Sequence, residues 1–145
     1  MVDSLLKDKQ LVSIMGQSAG GSAAGTIFFA RKNRIQRYIN ITGRLRSGIQ
    51  VSPSLADVAR NSVAFSESVI QFEKVEPKFT TSDRKRMMTI RPFWDEVVPA
   101  ATVAILGATN IVAPFPEHVV GGICIDIYYV SRIANFLHSS AKPVE

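Results

Sequence analysis

Cysteine is almost missing from this chain. Cys124 is its one thiol, which excludes a disulfide scaffold and any paired-cysteine metal site, and its apolar surroundings suit packing rather than nucleophilic chemistry. Histidine is scarce as well. His118 and His138 stand far apart, with no carboxylate or thiol at ligand spacing on a helix face, so neither a metal nor a cofactor is expected. Only 20% of the 145 residues are charged while 46% are hydrophobic, a balance that excludes intrinsic disorder. The first ten residues mix Asp3, Lys7, Asp8 and Lys9, so they predict neither a secretory leader nor an Arg-rich transit peptide.

What charge there is lies in the middle. Seventeen Lys and Arg against twelve Asp and Glu give a net +5, and all the basic residues except Lys7, Lys9, Arg132 and Lys142 fall between Arg31 and Arg91. This divides the chain into a Gly/Ser-rich apolar segment (1–30), a basic α+β region (31–95), and an apolar helical hairpin with a short tail (96–145). Leu11 to Ala30 is uncharged and about as long as a bilayer span, so it predicts a possible transmembrane helix. Gly16 with Gly20 and Gly21 with Gly25 form two GxxxG spacings suited to close helix packing.

In the middle region Ile39, Ile41, Leu45, Ile49 and Val51 alternate with polar residues, which predicts a strand or hairpin over 39–51. Ser52 and Pro53 read as the N-cap and first residue of a helix, Val69 to Val75 as a short strand, and Ser82-Asp83 as a second helix start. Arg31, Lys32, Arg34, Arg37, Arg44 and Arg46, with Tyr38 among them, form a candidate surface for anionic lipid or phosphate. Val97 to Phe115 and Val119 to Leu137 contain long apolar runs joined across Pro114–His118, preceded by Phe93 and Trp94 where interfacial anchors would sit. They predict a helical hairpin, with Asp126 and Arg132 as charges that need burial against a partner.

The whole reads as a mainly α, membrane-associated protein. Its predicted role is a non-catalytic, small integral membrane subunit of a multi-subunit complex, structural in function and part of a hetero- or homo-oligomer. The expected partners are other protein subunits and anionic membrane lipid. The alternative is a soluble subunit of a virion or other multimeric shell, whose neighbours bury the apolar helices while the Arg-rich strand meets nucleic acid.

One motif points elsewhere. Gly16-Gln17-Ser18-Ala19-Gly20 matches G-x-S-x-G and follows Leu-Val-Ser-Ile-Met, a run suited to a strand. The segment resembles the nucleophile elbow of α/β-hydrolases, carboxylesterases in particular, where a sharp strand-to-helix turn exposes a serine beside an oxyanion hole. The resemblance implies Ser18 as nucleophile, with Asp95 and His118, or Asp126 and His138, following in the family's order. It supplies a second alternative, a serine hydrolase. That reading ranks below the others because the family sets several strands before its elbow and the sequence beyond Ser18 reads as too poor in strands for the sheet. A phosphate-binding loop is excluded: Gly16 and Gly21 have its spacing, but Ser22 replaces its lysine.

Overall fold

Helices are interleaved with four strands. The computed structural model describes residues 4, 12–48, 50–60 and 62–139. In it β1 (Val12–Gln17) leads into α1 (Gly20–Ala30) and then β2 (Ile35–Ile41). Three helices follow, α2 (Leu55–Ala59), α3 (Val63–Val75) and α4 (Thr81–Arg84), before β3 (Met87–Trp94). A loop with one 3-10 turn (Ala100–Thr102) leads to β4 (Thr109–Pro116), α5 (His118–Tyr128) and α6 (Val130–His138). The four strands form one sheet in the order β1-β2-β3-β4, every neighbouring pair parallel. Parallel neighbours need crossovers, and helices lie on both faces of the sheet as a result.

Period-two alternation sends the strand residues to two cores. On one side Ala24 and Phe28 of α1 and Phe72 of α3 pack with Tyr38 and Met87. On the other, Ile125 of α5 and Ile133 of α6 pack with Ile39, Ile41, Met88 and Ile90. The central strands are thus apolar on both faces, as buried parallel strands are.

This α/β fold corrects the mainly helical, membrane-associated expectation. Val97 to Phe115 is a loop followed by β4, so the hairpin lacks its first arm. Residues 12–30 are a strand, a turn and an eleven-residue helix rather than one span. Among the described residues no single helix is long and apolar enough to cross a bilayer, and α5 and α6 reach that standard only together, across a 62° bend. Placement in a membrane loses its basis with them.

The middle region also reads differently. β2 ends at Ile41, and the alternation beyond it lies in a loop. Ser54, not Ser52, caps α2. Val69 to Val75 is the second half of α3, and Thr80 rather than Ser82 caps α4. Leu11, Ile49 and Lys142 lie outside the described residues.

Candidate active site

A parallel sheet brings the carboxyl ends of all its strands to one edge, where ligands of such sheets bind. Ser18 follows β1 directly, Asp95 follows β3 directly, and His118 lies just past the end of β4. Topology alone therefore gathers residues widely separated in sequence.

Ser18 occupies the left-handed region, with φ of 49°, which is strained for a serine and typical of a sharp functional turn. Its N–H donates to the Ile41 carbonyl at 2.9 Å, and its own carbonyl accepts from the Gly21 N–H at 3.1 Å. The turn needs Gly16, because a Cβ there would run into the main chain of Gly20 and the side chain of Ala24.

The Ser18 Oγ lies 2.8 Å from His118 Nε2, and His118 Nδ1 lies 2.9 Å from Asp95 Oδ2. The other Asp95 oxygen accepts from the N–H groups of Val97 and Val98, at 2.9 and 2.7 Å, which fixes the carboxylate. The histidine backbone is anchored too, its N–H donating to Glu96 at 3.0 Å. Glu117 completes the frame by capping α5 through the Val119 and Val120 N–H groups. Side-chain exposure is 10% for His118 and 5% for Asp95, so water competes little for this pair. With Nδ1 donating to Asp95, Nε2 is left to accept the serine proton. The hydrogen bond to Asp95 raises the His118 pKa above its ordinary value; burial opposes this, and the charges of Asp95, Glu96 and Glu117 add to it.

Ser18 and His118 open onto a cavity of about 300 Å³, walled by Val58, Phe65 and Val98 among others. Ala19 also lines it, and among the described residues the Ala19 N–H makes no hydrogen bond. The N–H that follows a nucleophile at such a turn is placed to receive a developing oxyanion. Ser18, His118 and Ala19 thus line one cavity, with Asp95 behind His118.

The same arrangement of strands and helices occurs in solved hydrolase structures. A structure from the metagenome-derived lipolytic enzymes LipS and LipT matches with a TM-score of 0.63 at 14% identity, over 96% of this chain and 71% of that one. The monoacylglycerol lipase of Paleococcus ferrophilus matches at 0.59 and 13% identity, over 96% and 73%. A hydrolase from Pseudomonas aeruginosa PA01 matches at 0.58 and 14%, over 95% and 69%. The chain shares their fold. No protein-family model and no curated protein matches it. The expectation of a non-catalytic structural subunit is corrected at this point, since its fold is one that these hydrolases use and its Ser, His and Asp are in contact.

The other residues singled out by sequence have other surroundings. A Cβ on Gly21 would strike Asn40, and one on Gly25 the ring of Phe72, whereas Gly20 faces open space; the spaced glycines seat α1 inside its own domain. Asp126 accepts a hydrogen bond from Gln17 at 3.0 Å, and both Asp126 and Arg132 are exposed, with no ion pair between them. His138 is exposed at the end of α6, away from the pairing with Asp126 that the motif also allowed. Of the basic set, Lys32 pairs with Asp83 and Arg46 with Glu76. Arg37 is buried, donating to Ser139 and the Lys85 carbonyl, and Arg44 is wholly buried. Arg31 and Arg34 flank the turn between α1 and β2. These cations do not form one continuous exposed face.

Proposed function

We propose that the protein is a serine hydrolase that cleaves carboxylic esters through an acyl-enzyme. Ser18 is the nucleophile, His118 the general base and then acid, and Asp95 the group that orients the imidazole. The observation that carries this reading is the unbroken hydrogen-bonded line Ser18–His118–Asp95 at the carboxyl edge of the sheet. The lipolytic enzymes and the monoacylglycerol lipase of like fold support acyl esters as the substrate class.

Ser18 Oγ attacks the ester carbonyl carbon while its proton passes to His118 Nε2, and the Asp95 carboxylate stabilises the imidazolium that forms. Negative charge gathers on the carbonyl oxygen beside the Ala19 N–H. Collapse of this intermediate breaks the ester bond, and His118 gives its proton to the departing alcohol. Water then attacks the acyl carbon, with His118 again taking the proton, and the acid leaves with Ser18 restored.

Hydrolysis of p-nitrophenyl butyrate tests the assignment. The wild-type protein is expected to release nitrophenol well above the uncatalysed rate. Ser18→Ala and His118→Ala are each expected to lower kcat/KM about 10⁴-fold or more, with the circular dichroism spectrum retained. A Ser18→Ala protein as active as the wild type would overturn it.

A further inference from the structure

The residue before His118 holds a backbone conformation that suits glycine. Glu117 has φ of 71° and ψ of 149°, a region populated almost only by residues without a Cβ. Strain of this kind persists where the surroundings over-determine it. Here three consecutive residues at and beyond the end of β3 lace the turn in place. The Trp94 carbonyl accepts from the Glu117 N–H at 2.9 Å, Asp95 meets the His118 ring at 2.9 Å, and Glu96 accepts from the His118 N–H at 3.0 Å.

Those bonds would hold a glycine at position 117 equally well, and without the strain. What the glutamate adds is its carboxylate, which accepts from the N–H groups of Val119 and Val120 at 3.3 and 2.7 Å. The bond from Val120, and then that from Val119, hold the carboxylate below its ordinary range, so it is charged wherever the imidazole is neutral. The other charged groups facing His118 are Asp95 and Glu96 on the β3 side. Across the cavity stands Arg44, whose guanidinium is bound to the carbonyls of Arg46, Ser47 and Pro53, while Asp126 on α5 is bound to Gln17. The hydrogen bond to Asp95 does most to raise the His118 pKa against burial, and the charges of Asp95, Glu96 and Glu117 add to it.

We infer that Glu117 is a positioning residue for the reaction: its side chain fixes the turn that aims His118 at Ser18 and sets a negative charge beside the imidazolium formed in each half-reaction. The inference rests on the hydrolase reading above. It accounts for a strained glutamate where glycine would sit at ease, because the carboxylate offsets what the backbone loses.

Glu117→Gly separates a glutamate that is used from one that is merely tolerated, and it relieves strain, so the circular dichroism spectrum is expected to stand. With p-nitrophenyl butyrate, kcat is expected to fall about tenfold with KM little changed, as the histidine loses its fixed aim. The midpoint of the kcat/KM pH profile is expected to move down by about half a unit, since one nearby negative charge is gone. Glu117→Gln keeps an oxygen for the Val119 and Val120 N–H groups, so it should recover most of kcat and leave the midpoint low. In the wild-type protein, with no variant needed, about 1 M sodium chloride should also lower the midpoint, because Glu117 is only half-buried and its charge is screened. A Glu117→Gly protein with the wild-type kcat and midpoint, or a wild-type midpoint indifferent to salt, overturns the assignment and leaves the hydrolase reading standing. A lowered kcat with the midpoint unmoved in both variants would mean a structural cap alone, and overturns it as well. A wild-type protein that neither cleaves the ester nor reacts at Ser18 with fluorophosphonate overturns both.

Discussion

His118 is the residue through which the site answers to pH. Only the neutral imidazole can accept the Ser18 proton, and the bond to Asp95 raises the pKa at which that form appears. kcat/KM is therefore expected to fall as pH drops through a midpoint above the ordinary histidine value. Asp95→Asn removes the largest raising influence, so the midpoint should move to lower pH while the plateau falls about 10⁴-fold. A midpoint unmoved in Asp95→Asn would show that Asp95 does not govern the histidine. At this scale the sequence was partly legible. Gly16, Ser18 and Gly20 stand at the spacing a nucleophile turn needs, and Asp95 and His118 follow in order. Nothing in one dimension, however, distinguishes that carboxylate and imidazole from Asp126 and His138. The choice is made by where β3 and β4 end.

The elements themselves rest on caps and on a few large side chains. Ser54 and Asp57 form a reciprocal capping box at the start of α2, beside the chamber wall. Ser54→Ala is expected to cost about 1 kcal/mol in urea unfolding, with the urea dependence unchanged. Phe72 of α3 is fully buried among Tyr38, Phe79 and the open backbone of Gly25. Phe72→Ala is expected to cost about 3–5 kcal/mol by the same measurement, and a loss under 1 kcal/mol would contradict the packing described. Both elements were hard to read in sequence for physical reasons. Read from sequence, the cap falls at Ser52, before Pro53, whereas Ser54 beyond it is the residue whose oxygen accepts from the Asp57 N–H. β3 carries Arg91 and Pro92, residues that argue against a central strand, although its pairing with β4 is irregular between Pro92 and Trp94. With β3 unread and β4 taken into a helical arm, the strands do not add up to a sheet.

Across the whole molecule, the misleading signal was the length of the uncharged runs. Those runs hold β1 with α1 and β4 with α5 and α6, of which one face packs on the sheet through Phe28, Ile111, Ala113, Ile125 and Ile133, while Val112, Val119, Val120, Ile123, Ile127 and Val130 stay exposed. One buried charge is paired locally: Asp83 binds Lys32 and Arg86 and accepts from the Thr80 N–H in the capping box of α4, tying the α1–β2 turn to the start of β3. Burial alone would raise its pKa, but the hydrogen bonds from Lys32, Thr80 and Arg86 outweigh that and hold it at about 2. The stability this supplies is complete above the unfolded carboxylate range near pH 4 and is lost as pH falls toward 2. Asp83→Asn is expected to flatten that acid slope and to lower stability at pH 7 by about 2 kcal/mol. The proposed hydrolase activity requires that the sheet edge activate one serine. Incubation of the wild-type protein with a fluorophosphonate, followed by mass spectrometry of its peptides, measures this directly. One adduct on Ser18, absent from His118→Ala, is the expected result; an unmodified Ser18, or labelling spread over other serines, would contradict it.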